Sequence, residues 1–201
     1  MDIRKILYKD YGKIQKFAMQ GMNFNMYTEN KLELYFYTKY FWYLELNRAT
    51  QILAAYDGNK LLGVLLADMK NQPKAAYSPF RNLYVKFMEW VMAVGYKGSS
   101  DEYEKANSEM LAEFKRTHSP EGELNFFAVD PEMKGKGIGT KLLSELERRE
   151  KGKLIYLFTN TGNSFYFYER KGFKRSGSRS IEILMHGRKI PHDCYLYSKV
   201  I

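Results

Sequence analysis

The chain has 201 residues, 45% of them apolar, 27% charged and 16% aromatic, with a formal charge of +9 at neutral pH. That length and apolar content exclude wholesale disorder and lead us to expect a single domain, 1–201, with a real core. The positive charge favours anionic partners, but it is spread along the chain and mixed with acids, so no nucleic-acid partner is expected.

The longest apolar runs, such as Leu61 to Ala67, are too short to span a bilayer, so no membrane partner is expected. Met1-Asp2-Ile3-Arg4-Lys5 opens with no apolar segment before a small-residue cleavage site, so no signal peptide is read there. A single cysteine, Cys194, makes no internal disulfide and fits a reducing, cytoplasmic location.

Residues 2–8 read as a short first strand anchored by Ile3, Ile6 and Leu7. Asp10 is placed to cap a helix reaching about Met22, with Ile14, Phe17 and Ala18 at helical spacing. After a loop rich in Asn and Met, residues 29–47 read as a longer helix. Its aromatics (Tyr35, Tyr37, Phe41, Trp42) predict a packed face, or else one wall of a substrate pocket. Gln51–Tyr56 and Lys60–Asp68 are strands, and Asp57-Gly58-Asn59 between them is a hairpin turn. The second is apolar almost throughout, which predicts burial on both faces.

Residues 70–120 break the strand rhythm. Ser78-Pro79 opens a helix to about Val94. Ser99 and Glu102 have capping-box spacing for another, running to about Thr117. Glu123–Val129 is the next strand. A glycine turn over 134–139 leads into a helix over 139–150, striped by Ile138, Leu142, Leu143 and Leu146 and supported by a Glu145–Arg149 pair. Leu154–Thr159 is another buried strand, and this strand–helix–strand unit predicts parallel neighbours. A short helix over 164–171 ends at Gly172. Phe173–Leu184 and Tyr195–Val200 close the chain as antiparallel strands joined through His186-Gly187.

The most informative stretch is Val129-Asp-Pro-Glu-Met-Lys134-Gly135-Lys136-Gly137-Ile138-Gly139-Thr140. Glycines at 135, 137 and 139 let backbone approach a ligand, and the following helix N-terminus offers unpaired N–H groups, so the turn suits an anion such as phosphate. It is neither a Walker loop nor a dinucleotide fingerprint, because GxxxxGK[ST] and the third Gly of GxGxxG are both missing. It does match [Gln/Arg/Lys]-x-x-Gly-x-Gly/Ala through Lys134, Gly137 and Gly139, followed by a helix, a strand and Phe167-Tyr-Glu-Arg-Lys-Gly-Phe173.

Over Glu123 to Phe173 the sequence resembles the GNAT superfamily of acetyl-CoA-dependent N-acetyltransferases. The resemblance is topological in residues 1–69 and 174–201, and residues 70–120 look like an insertion between the usual third and fourth strands. It implies an α/β fold with a mixed, centrally splayed sheet flanked by helices. It also implies acetyl transfer from acetyl-CoA to a primary amine of a small molecule or peptide by direct attack, with no metal. The rival reading is a non-catalytic acyl-CoA- or partner-binding module. The resemblance allows a homodimer.

The same resemblance gives the backbone of Lys134, Gly135, Lys136, Gly137, Ile138, Gly139 and Thr140 the coenzyme A pyrophosphate. Phe127, Ala128 and Val129 take the pantetheine amides, and Asn163 the pantetheine arm; Asn163 also fits a helix N-cap. Tyr168 stands where the family places the tyrosine that protonates the departing thiolate, and Glu123 where one branch places its base. Period-two spacing puts Glu123, Asn125, Phe127 and Val129 on one strand face. Cys194 reads as a small buried residue, not a nucleophile.

Overall fold

The computed structural model describes residues 1–22, 24, 30–95, 99–163, 165–185 and 188–201. Seven strands form one sheet in the order β1-β2-β3-β4-β5-β7-β6. In chain order they are β1 (Asp2–Arg4), β2 (Gln51–Asp57), β3 (Lys60–Met69), β4 (Gly122–Val129), β5 (Leu154–Asn160), β6 (Lys174–Met185) and β7 (Arg188–Val200). All pairings are antiparallel except β4 with β5. The helices are α1 (Tyr11–Gly21), α2 (Lys31–Arg48), α3 (Pro79–Gly95), α4 (Ser99–Thr117), α5 (Ile138–Arg149) and α6 (Phe165–Arg170). The expected mixed, splayed sheet flanked by helices is therefore present. The loop after Met22 and the His186-Gly187 joint lie outside the described residues.

Hydrophobic alternation decides which helix covers which sheet face. On one face Leu53, Leu65, Leu124 and Leu157 pack against the α5 stripe Ile138, Leu142, Leu143 and Leu146. On the other, Ala54, Val64, Leu66 and Phe126 pack against α1 and α2 through Ile14, Phe17, Trp42 and Leu46. The predicted two-sided burial of β3 holds over Leu61–Ala67. α4, from the segment between β3 and β4, lays Ala106, Met110 and Phe114 on Tyr156, Cys194 and Leu196. Cys194 is fully buried, and burial pushes its thiol up to about 11, which keeps it protonated at neutral pH.

Two helix starts differ from the sequence reading. Asp10 precedes α1 but makes no side-chain cap; its buried carboxylate instead accepts from the Tyr56 hydroxyl at 3.0 Å. A hydroxyl from the sheet outcompetes the local backbone N–H groups for this carboxylate. α2 is capped by Asn30, whose Oδ1 accepts from the N–H groups of Leu32 and Glu33. The aromatics of α2 divide along its length: Tyr40 and Trp42 are buried, whereas Tyr35, Phe36 and Tyr37 are exposed.

The Tyr56 hydroxyl also accepts from the Leu7 N–H at 3.2 Å, so one side chain ties β1's exit, β2 and α1 together. Tyr56→Phe leaves a buried carboxylate short of a donor and is expected to cost about 1–3 kcal/mol. Urea denaturation of the variant beside the wild type measures it.

Candidate active site

β4 and β5 pair only at Gly122–Ile155 and Glu123–Tyr156. Beyond those two steps the strands diverge, and the rest of β4 has a sheet neighbour only in β3. The backbone edge of 124–129 is thereby freed from β5, which is the splay the sequence led us to expect.

A second distortion sits beside the first. Leu66 pairs with Phe126, but Asp68 pairs with Glu123, so three steps along β4 match two along β3. The extra residue makes a β-bulge around Asn125. Glu123 and Asn125 face α2, and so does Phe126, while Phe127 and Val129 pack on the α5 side. The period-two reading that put Glu123, Asn125, Phe127 and Val129 on one face is corrected here. One inserted residue flips the parity of everything beyond it.

On the α5 side, the strand runs into the glycine turn. Asp130 is buried and shapes the exit: its Oδ1 accepts from the Glu132 N–H at 3.0 Å, and its own N–H donates to the Leu62 carbonyl at 2.8 Å. Pro131 starts a single 3-10 turn, and the chain then reverses through Gly135 (φ +81°) and Gly137 (φ +77°). Side chains rarely take that conformation, and nothing lies within 4 Å of where a Cβ would stand on either glycine. The N–H groups of Gly135, Gly137, Ile138, Gly139 and Thr140 have no hydrogen-bond partner among the described residues. Lys134 and Lys136 are exposed on the turn.

α6 docks on this turn. A Cβ on Gly139 would stand 3.4 Å from the Phe167 ring, so the glycine permits the approach. The Phe167 ring meets Phe127 edge-on at 5.6 Å, and Tyr168 lies 6.5 Å from Phe127 and 5.7 Å from Phe173. Burial raises the Tyr168 phenol above its ordinary range. Its hydroxyl has no hydrogen bond among the described residues. Asn163 lies just before α6, and its Oδ1 is buried with no partner. Of the predicted residues, Phe127, Val129, Gly139 and Tyr168 thus lie together on the α5 side of the sheet, whereas Ala128 turns its side chain to the α1 and α2 side.

Glu123 lies at the apex of the splay on the opposite side. Its Oε2 accepts from Arg48 at 2.5 Å and from the Tyr156 hydroxyl at 3.2 Å. Arg48 also pairs with Glu45 at 3.6 Å, and Asn125 Nδ2 donates to the Glu45 carboxylate at 2.6 Å. Burial works against the Arg48 charge, but the two carboxylates more than offset it and raise its pKa. Sequence reading missed Glu45, Arg48 and Tyr156, and it gave Asn125 no partner in Glu45. The only trace of them is a Glu and an Arg three apart near the end of an otherwise aromatic helix. A cavity of about 260 Å³ lies against the same helix end, lined by Leu44, Asn47, Arg48, Lys74, Tyr77, Asn82 and Val85. Among the described residues no His, Cys, Asp and Glu grouping suits a metal ion, and no helix is long and apolar enough to cross a membrane.

A model of the acetyltransferase (GNAT) domain matches residues 90–175, a span that holds the splay, the glycine turn and Tyr168. The residues of the candidate site therefore lie largely in a stretch that resembles a GNAT acetyltransferase domain. The chain is 33% identical over 100 residues to N-alpha-acetyltransferase RimI of Mycobacterium tuberculosis, covering 49% of this chain and 56% of that protein. It is 41% identical over 63 residues to S-(2-succino)cysteine N-acetyltransferase of Bacillus subtilis, covering 28% of this chain and 38% of that one. The chain therefore matches about half or less of the length of these curated relatives. The solved structure of a histone acetyltransferase HPA2-related protein from Corynebacterium glutamicum superposes with TM-score 0.58 at 15% identity, over 96% of this chain and 93% of that one. Ribosomal-protein-alanine N-acetyltransferase from Brucella melitensis gives 0.55 at 17% over the whole of both chains. At such identities these superpositions speak for the GNAT fold alone.

Burial raises the Glu45 carboxyl to about 7, with Arg48 and Asn125 pulling it down and Glu123 pushing it up. That lies above the unfolded value near ~4.3, so through that window the native state holds the extra proton and stability falls as pH rises. The slope is at most ~1.4 kcal/mol per pH unit and vanishes above about 7. In urea denaturation at pH 5 and pH 8, Glu45→Gln should shrink the wild-type difference between the two.

Proposed function

We propose that the protein is an N-acetyltransferase that moves an acetyl group from acetyl-CoA to a primary amine of a small molecule or peptide by direct attack. One observation carries the reading: five unpaired N–H groups on the 135–140 turn open beside the freed edge of β4, with Tyr168 next to that edge. The residues present suit coenzyme A. Unpaired amides and a helix N-terminus suit its pyrophosphate, and open space over Gly135 and Gly137 lets the backbone come close. The partnerless Asn163 Oδ1 suits an amide donor. When bound, acetyl-CoA supplies the activated thioester.

The rest falls to the chain's own residues. The 134–140 backbone holds the phosphates, aided by the charges of Lys134 and Lys136. The β4 edge at Phe127, Ala128 and Val129 offers strand-like hydrogen bonds to an extended amide arm. A backbone N–H near Val129 polarises the carbonyl under attack. An amine of the lysine type has pKa near ~10.4 and must lose a proton before it attacks. Glu123 takes that proton at its carboxylate, directly or through water, at the apex of the splay. The Tyr168 phenol gives its proton to the leaving sulfur. Its raised pKa keeps the O–H protonated at neutral pH, and its hydroxyl is not otherwise engaged. The acid and the base thus approach from opposite faces of the sheet, through the gap between β4 and β5.

Calorimetry is expected to show saturable binding of coenzyme A to the folded protein; no heat of binding would overturn the reading. Thiol release with a panel of primary amines then reports turnover. Tyr168→Phe should lower kcat by about 10²-fold or more while acetyl-CoA affinity changes little. The opposite split would remove the acid role.

A further inference from the structure

Among the described residues a row of exposed apolar side chains belongs to α3, which the site does not use. Phe80, Leu83, Phe87, Trp90 and Val94 are 86%, 68%, 56%, 63% and 65% exposed. Their spacing runs 3, 4, 3, 4, the a/d repeat of a coiled-coil seam. A helix that only covers a core shows one wider stripe turned inward. α3 already has its inward face. Val85 is buried, Tyr84 packs on Tyr43 at 5.5 Å and donates to the Phe36 carbonyl, and Arg81 Nε donates to Asn47 at 3.0 Å. The outward seam is therefore surplus to the fold as described.

We propose that this seam pairs with the same seam of a second copy, as an antiparallel two-fold dimer. Two features favour a copy of this chain as the occupant. An a/d seam on one helix is complementary to itself when reversed, because knobs of one copy fill holes of the other. The area is also adequate. Aromatics bury roughly 150–250 Å² each, so Phe80, Phe87 and Trp90, about two-thirds exposed, bring roughly 300–500 Å² per copy, and Leu83 and Val94 carry two copies to about the 1,000 Å² total of a specific interface. Tyr77, 56% exposed just before the helix, adds to it. A lipid surface is the weaker fit. An interfacial helix carries a basic polar face, and α3 offers only Lys86 outward, beside Glu89, with Arg81 turned to Asn47.

Sedimentation velocity between about 1 and 100 μM reads the association directly. The wild-type 201-residue chain should reach twice its 23.7 kDa mass. Phe87→Glu/Trp90→Glu, and separately Leu83→Glu, should sediment as monomers with unchanged circular dichroism and unchanged coenzyme A binding. A wild type that stays monomeric at 100 μM overturns the proposal, and so does a dimer that persists in both folded variants. A monomer that floats with vesicles of phosphatidylcholine and phosphatidylglycerol also overturns it, in favour of a membrane.

Discussion

Beyond Glu123 and Tyr156, β4 and β5 stop pairing, and most of the candidate site follows from that break. A strand in the middle of a sheet normally satisfies its backbone on both sides, and leaving one edge open costs free energy unless water or a ligand pairs with it. Here the edge opens directly above a glycine turn whose own N–H groups are unpaired. Two sets of unmatched backbone donors next to each other are costly for stability alone. They make sense as one continuous surface for an extended, anionic ligand. The α5 stripe packed on β2 and β3 and the hairpin of β6 with β7 hold the two halves of the sheet in place, so the gap does not close.

The bulge at Asn125 adds a second consequence. By inserting one residue it turns Glu123, Asn125 and Phe126 toward α2 while returning Phe127 and Val129 to the α5 side. A regular strand would have put Glu123 on the same side as Phe127. The carboxylate instead meets Arg48 and Tyr156, within reach of a second acid, Glu45, that is itself buried. Two acids sharing one guanidinium in a half-buried setting form a network whose protonation changes near neutrality, because desolvation and mutual repulsion act together on Glu45.

How much of this the sequence disclosed depends on the range of the interaction. The hairpin over 51–69 was legible because an Asp-Gly-Asn turn separates two apolar runs. The α5 helix and its turn were legible because glycines, an Asp-Pro exit and a leucine stripe all act within a dozen residues. The Glu145–Arg149 pair, 2.8 Å apart, is local in the same sense. Asp10 misled, because a partner 46 residues away took its carboxylate. The bulge was hidden for the same reason: it is a property of register between β3 and β4, and Asn125 carries no glycine-like signature. Glu45 and Arg48 were hidden because a charged residue on a helix reads as solvated until the fold shows what covers it.

α3 and α4 illustrate the remaining gap between pattern and role. Both come from the one stretch between β3 and β4, and both have apolar and polar positions at helical spacing. α4 spends its apolar face on the sheet, where Met110 and Phe114 seal Tyr156 and Leu196. α3 packs its inward side on α2 and still keeps five large apolar side chains in solvent. Composition does not separate the two cases; the period does. A 3-4-3-4 seam narrower than a core stripe, on a helix already anchored by Val85 and Tyr84, covers nothing among the described residues. A solvent-exposed seam of that regularity costs solubility and is retained where another surface covers it. The segment that interrupts the sheet's rhythm therefore has two physical parts: one helix completes the core beside the splay, and the other turns outward.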